Sequence, residues 1–307
     1  SDFLARIGVE VFEGYRPENL DHAPELVIVG NVIPKVNAEA QGLAVRGIPY
    51  VSMPQALSHF FIKKRRSLVI SGTHGKTTTS SMLAAGLHTA GADPTFMIGG
   101  ILHQFNSNHR IGAGPYFIAE GDEYDTAFFN KVSKFLHYSP EIAVITSIEF
   151  DHADIFDSLD DIKESFRKFV ALIPEHGLLI INGDDADIAD VVSEARCPVR
   201  TYGLGEHNYY RISNIKHING KNSFSLTCDN GSFAEVVISL PGVHNCMNAT
   251  SVAAIMHHLG FDKTEISSAL ESFSGVKRRQ EIRGVVNDIT VIDDFAHHPT
   301  AVRETLN

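Results

Sequence analysis

Cysteine is scarce in this chain of 307 residues. Cys197, Cys228 and Cys246 form an odd set without Cys-x-x-Cys spacing, which argues against a disulfide framework or a zinc site and for reduced, buried thiols of a cytosolic protein. Long apolar runs are missing as well. No stretch approaches the ~18 uninterrupted apolar residues of a membrane span, and the N-terminus has neither the basic nor the apolar region of a signal peptide, so a cytoplasmic location is expected. Positive charge is also short: Lys+Arg 26 against Asp+Glu 37 leaves a formal net charge of −11. That balance opposes binding to nucleic acid or to an anionic membrane, and any anionic ligand must be held by local cations. Internal repeats, low-complexity tracts, a nucleophile elbow and a Cys-His pair are absent too.

What remains is ordinary globular composition, 43% hydrophobic and 21% charged, in a chain long enough for two or more domains. Residues 1 to about 65 alternate short strands (26–29, 48–51) with helices (39–46, 55–62), the rhythm of a parallel α/β unit. The chain opens with what reads as the end of a helix, without the strand and Gly-rich turn that usually begin such a domain, so an N-terminal truncation is expected. From Ser67 to about Gly275 the rhythm continues. Apolar runs at 117–120, 142–146 and 178–181 predict strands covered on both faces, and 209–215, 223–227 and 233–239 predict antiparallel hairpins appended to the sheet. Helices are expected over 245–259 and over 263–273, the latter with Asp262 as N-cap. Ser274-Gly275 is a candidate hinge, followed by a hairpin across Asn287-Asp288 and a helix from near Pro299.

The stretch Ser71-Gly-Thr-His-Gly-Lys-Thr-Thr-Thr-Ser80 follows the apolar run Leu68-Val69-Ile70 and precedes a helix expected over 80–90. Gly72 and Gly75 let backbone N–H groups curl toward an anion, Lys76 adds a charge, and the Thr77 hydroxyl can ligate Mg²⁺. The strict phosphate-loop pattern would need glycine where Ile70 stands, and a Gly-Thr-rich helix cap is the plain alternative. Glu120 closes a strand and opens the acidic turn Gly121-Asp122-Glu123-Tyr124-Asp125, a place for the Mg²⁺ of a nucleotide or simply a solvated turn. Glu149-Phe150-Asp151-His152 follows another strand. A neutral His152 there could bind metal, although a lone histidine is more often a packing residue, the class to which His257 and His258 are assigned. Asn245 and Asn248 share a helix face and offer the donor and acceptor that a purine edge requires, with helix capping by Asn245 as the alternative. Lys277-Arg278-Arg279 follows the hinge and Asp293-Asp294 precedes Phe-Ala-His-His-Pro-Thr300. Guanidinium groups suit a transferring phosphoryl group and an Asp suits ribose hydroxyls, whereas a basic run alone would be a solvated surface.

Taken together, GTHGKTTT, the Glu-x-Asp turn, EFDHADIF, GVHNCMNA and the KRRQE and DDFAHHPT pair resemble, in order, the motifs of the Mur ligase family of ATP-dependent amide-forming enzymes of cell-wall assembly. The segments EYDTAFFNKVSKFLHY and EFDHADIF resemble the murein-peptide ligase branch, which joins a recycled L-Ala-γ-D-Glu-meso-diaminopimelate tripeptide to UDP-N-acetylmuramate, more than the branch that adds L-Ala alone. The resemblance implies an α/β fold of three domains: residues 1–66 in an N-terminal UDP-sugar domain, 67–275 in a central P-loop ATPase, and 276–307 opening a C-terminal domain, both flanking domains Rossmann-like and partial. It implies ATP and Mg²⁺, with a phosphate site of Gly72, Thr73, Gly75, Lys76, Thr77 and Thr78, metal ligands Thr77, Glu120 and His152, Asn245 and Asn248 at the adenine, Arg279 at the γ-phosphate and Asp294 at the ribose. Lys76, His152 and Arg279 are the expected catalytic residues. Ser147 departs from the family, which often has Asn there, and Arg167 and Lys168 stand where some relatives carry a carbamylated lysine. A nucleotide-binding module that forms no amide bond is the alternative from another class, and the presence of both Glu120 and His152 favours an enzyme.

Overall fold

The structure is a computed structural model describing residues 2–306 apart from positions 152, 219 and 230. Near the N-terminus, strands Val27–Val29 and Tyr50–Ser52 pair in parallel around the helix Ala38–Arg46. That helix starts where the Asn37 side chain accepts from the N–H groups of Glu39 and Ala40, and it ends at Gly47 in the left-handed region. Helix Met53–Phe60 follows behind a reciprocal Ser52/Gln55 capping box and leads into the main sheet.

Among the described residues this sheet has ten strands, in the order Gly231–Ile238, Lys221–Cys228, Tyr210–Ile218, Val199–Gly203, Leu178–Asn182, Ile142–Ile145, Arg66–Ser71, Tyr116–Gly121, Thr95–Leu102, Ser107–Arg110. The middle is parallel. The expected hairpins add antiparallel strands at one edge, and Ser107–Arg110 runs antiparallel at the other. Strand alternation divides the core. Leu68 and Ile70 face one layer with helices Lys76–Thr89, Val243–His258 and Lys263–Glu271, whereas Val69 faces the other with helix Leu159–Val170. Ile162, Phe166, Phe169 and Val170 are fully buried on that second side, the helix face that their spacing predicts.

Several boundaries differ from expectation. The helix after the glycines begins at Lys76, not Ser80, because Gly75 at φ 80 is its N-cap and the threonines form its first turn. Helix 243–258 is capped by Gly242, and Asn245 makes no cap; its amide instead donates to the Pro241 carbonyl at 2.6 Å. Strands Thr95–Leu102 and Ser107–Arg110, interrupted by Gly99-Gly100 or wholly polar, lack the apolar pattern by which the others are recognised. Asp262 does cap its helix, through the N–H groups of Thr264 and Glu265. No helix among the described residues is long and apolar enough to cross a membrane.

What positions the site is register. Ser71 lies opposite both Gly121 and Ile145 in parallel ladders. The three strands therefore end level, and the Gly-rich loop, the acidic turn and the segment after Ile145 rise from one edge of the sheet. The C-terminal segment returns to that edge: Lys277 N–H donates to the Ile101 carbonyl at 2.9 Å, and hairpin Glu281–Val286/Ile289–Asp293 and helix Pro299–Leu306 follow.

Candidate active site

The Gly-rich loop is tied to its neighbour strand before any ligand is considered. Thr73 N–H donates to the Ser147 carbonyl at 2.9 Å, and His74 N–H donates to Ser147 Oγ at 3.0 Å. Ser147 thus serves as a loop anchor. Gly72 sits at φ 122, where a Cβ would come within 2.8 Å of the Thr146 backbone nitrogen, so the close approach needs glycine. A Cβ on Gly75 would lie 2.7 Å from Asn248 Oδ1, which puts the loop directly beside the expected adenine amides. Beyond Gly75, the first-turn N–H groups of the helix lack intrahelical acceptors and face the same edge, an anion cradle of backbone origin.

Lys76 does not project freely. Its Nζ donates to the Gly72 carbonyl at 2.6 Å and to the Thr73 carbonyl at 3.2 Å, and it pairs with Glu123 at 3.0 Å. Burial disfavours the ammonium, but Glu123 first and then Asp122 outweigh it, so its pKa is raised and it stays charged. Glu123 was not singled out from the sequence. It lies in the acidic turn yet is only 2% exposed, because its partner comes from the loop across the strand edge. Asp122 in the same turn is bound by Lys134 at 2.6 Å.

Thr77 and Glu120 meet as expected. Thr77 Oγ1 donates to Glu120 Oε1 at 2.9 Å, and Glu120 Oε2 accepts from Gly99 N–H at 2.8 Å. A hydroxyl and a carboxylate at a phosphate cradle are hard oxygen donors of the kind Mg²⁺ takes while keeping water and phosphate ligands. His152, the third expected ligand, lies outside the described residues. Arg279, from the segment after Gly275, places Nη2 3.2 Å from Thr77 Oγ1, whereas Lys277 and Arg278 of the same run are exposed.

Between loop and C-terminal segment lies a cavity of about 330 Å³, within the ~300–1,000 Å³ common for small-molecule sites. Its wall includes Gly75, Thr78, Asn245, Asn248, Arg279 and Asp294. Asn248 Nδ2 donates to Asn245 Oδ1 at 3.3 Å, and Asn245 Nδ2 also donates to Gln280 Oε1 at 3.0 Å. Asn222 fixes the turn that delivers them by donating to the carbonyls of Leu240 and Gly242. Asp294 accepts from Ala296 N–H at 3.0 Å and from Thr305 Oγ1 at 2.9 Å. His257, read as a packing residue, bonds Tyr210 at 2.9 Å in the last turn of the helix, away from these amides.

One grouping was not foreseen. His74 in the loop, Glu149 and His298 come together, with His74 Nε2 3.5 Å and His298 Nδ1 3.7 Å from Glu149 Oε2. GTHGK, EFDH and HHPT each stood out in the sequence, but nothing there said that these three side chains would converge.

Comparison with known proteins accords with this geometry. The profile described as "Mur ligase middle domain" matches residues 70–256, and that described as "Mur ligase family, catalytic domain" matches residues 1–65. The UDP-N-acetylmuramate–L-alanyl-gamma-D-glutamyl-meso-2,6-diaminoheptandioate ligase of Haemophilus influenzae is 40% identical over 100% of this chain and 67% of its own length. The UDP-N-acetylmuramate–L-alanine ligase of Geotalea uraniireducens is 35% identical over 99% of this chain and 64% of its own. A crystal structure of a murein peptide ligase from Psychrobacter arcticus superposes with a TM-score of 0.85 at 34% identity, covering 100% of this chain and 67% of that one. The chain thus spans about two thirds of the length of the curated relatives it matches. A middle-domain match over more than half of the chain, on a fold and a loop arrangement of the same kind, leaves one assignment: this chain belongs to the Mur ligase family.

Proposed function

We propose that the protein is an ATP-dependent C–N ligase that joins the carboxylate of UDP-N-acetylmuramate to the amine of L-Ala-γ-D-Glu-meso-diaminopimelate, with Mg²⁺, in cytoplasmic peptidoglycan recycling. In this assignment residues 1–66 belong to the UDP-sugar domain, 67–275 to the ATP-binding domain and 276–307 to the C-terminal ligase domain. The matches over 1–65 and 70–256 support the first boundary.

The observation that carries this proposal is the 3.2 Å contact between Arg279 and Thr77, which brings a guanidinium from the C-terminal segment to the phosphate loop. Forming an amide from a carboxylate needs an activated acyl group, and transfer of the γ-phosphoryl group of ATP to the muramate carboxylate supplies an acyl phosphate. The amine then attacks and phosphate leaves. Such a path needs positioning and charge stabilisation more than a protein nucleophile. The loop amides after Gly75 would hold the phosphates, Lys76 would turn from Glu123 toward them, and Arg279 would face the oxygen charge that grows in transfer. Asn245 and Asn248 would orient the base, and Asp294 the ribose. Thr77, Glu120 and His152 would hold Mg²⁺, which screens phosphate charge when bound.

The test is ATP-dependent phosphate release by the full-length protein with UDP-N-acetylmuramate and either the tripeptide or L-Ala as amine. Turnover with the tripeptide is expected. Turnover with L-Ala alone would place the protein with the Geotalea relative's activity, and ATP binding without amine-dependent release would support the non-catalytic module.

A further inference from the structure

His74 Nε2 is buried and has no hydrogen-bond partner among the described residues. A buried ring nitrogen left so is costly unless something else satisfies it. Glu149 Oε2 lies 3.5 Å from it, His298 Nδ1 also converges on that oxygen at 3.7 Å, and the centroids of the two imidazole rings are 4.5 Å apart. The three candidate ligand atoms lie within 4.8 Å of one another. Ligands held ~2.1 Å from a tetrahedral cation stand roughly 3.4 Å apart, so two of these separations need to change by only tenths of an ångström. Two imidazoles and one carboxylate form a nitrogen-rich set that suits zinc and its first-row neighbours and is poor for Mg²⁺, which prefers oxygen.

We propose that His74, Glu149 and His298 form a second metal site, for a divalent first-row transition cation such as Zn²⁺, separate from the Thr77/Glu120 pair. The three residues come from the phosphate loop, the segment after strand Ile142–Ile145 and the approach to helix Pro299–Leu306. A cation there cross-links the C-terminal segment to the loop. His74 and Glu149 also line the nucleotide cavity, so the remaining coordination position is open to water or to a phosphate oxygen. Two contacts give way on binding: Thr300 Oγ1 leaves Glu149 Oε2, now at 2.8 Å, and Thr300 N–H leaves His298 Nδ1, now at 3.3 Å. Both donors lie at a helix start near solvent and can turn to water.

The experiment titrates Zn²⁺, and separately Co²⁺ as a visible reporter, into the full-length protein without nucleotide and in excess Mg²⁺. One equivalent of Zn²⁺ is expected, with a Co²⁺ visible band and a rise in melting temperature on Zn²⁺ addition. His298→Gln and Glu149→Gln, which keep size and polarity, should each weaken Zn²⁺ binding by roughly 100-fold and abolish the band, whereas Glu120→Gln should leave both unchanged. Zn²⁺ binding that is absent, or equal in wild type and in both variants, overturns the proposal. So does binding lost in His152→Ala or Glu120→Gln but kept in His298→Gln, since that places the cation on the other ligand set. Because nucleotide is absent throughout, failure here leaves the ligase assignment untouched.

Discussion

The ammonium of Lys76 lies 3.0 Å from a carboxylate oxygen of Glu123, with side chains 13% and 2% exposed. Removing one member of so buried a pair strands the other, at a cost of about 3–5 kcal/mol, whereas replacing both with neutral groups costs far less. Lys76→Met should therefore unfold at lower denaturant than Lys76→Met/Glu123→Gln, an order that equilibrium unfolding will check. Both should lose Mg-ATP binding, because the phosphate charge partner is gone. Glu123→Gln should keep it, since Lys76 is then freer to turn. If Lys76→Met binds Mg-ATP within roughly tenfold of wild type, the lysine does not contact phosphate.

Gly75→Ala places a Cβ 2.7 Å from Asn248 Oδ1 at a φ of 80. The left-handed backbone alone costs an alanine roughly 1–2 kcal/mol. Weaker nucleotide binding is expected, and Asn248→Ala, which by itself removes a proposed base contact, should cost less in the Gly75→Ala background, where it also removes the clashing amide. A double-mutant cycle by calorimetry reads the coupling, and strictly additive effects would mean that the loop and the amides act independently.

Thr77→Val removes, and Glu120→Gln neutralises, one of two hard oxygen donors 2.9 Å apart. Each should raise the Mg²⁺ concentration needed for half-maximal ATP binding by roughly tenfold or more, with little effect on ATP alone. His152→Ala should act in the same direction if the motif places it on the same ion. An unchanged Mg²⁺ dependence in Glu120→Gln would remove it from the metal site.

Burial by itself would raise the Asp122 carboxyl, but Lys134 at 2.6 Å, with Lys76 and the Tyr124 N–H, holds it below the ordinary carboxylate range. A carboxylate depressed on folding adds stability above its unfolded value, near ~4, that is lost as pH falls through its lower folded value. Lys134→Met should therefore be less stable than wild type at neutral pH, and the gap should close in acid below that folded value. A gap that stays constant with pH would mean that Lys134 contributes through packing alone.

The loop, its strand and the helix behind it were legible because Leu68-Val69-Ile70 is an apolar run closed by glycine, a purely local signal. Thr77 with Glu120 and Asn245 with Asn248 were legible as motifs, and in the fold each pair does meet. Glu123 was not, because an acidic turn reads as solvated until Lys76, at the helix start after the neighbouring strand, arrives to bury it. Nor was the His74, Glu149 and His298 grouping, whose members are separated by whole strands and helices. Strand Ser107–Arg110 escaped for a different reason: at a sheet edge its backbone pairing with Thr95–Leu102 suffices, and no side-chain pattern is required.

The loop leans on residues far along the chain. Thr73 N–H and His74 N–H find their acceptors only at Ser147, and the Ser71 carbonyl accepts from Thr146. On a chain emerging from the ribosome, the stretch Ser71–Ser80 can be fully exposed before Thr146 and Ser147, which hold it in shape, have been made. Parallel pairing across such a separation is slow to form, since the intervening chain must be closed before any contact rewards it. The shape of the loop is thereby tied to completion of the sheet.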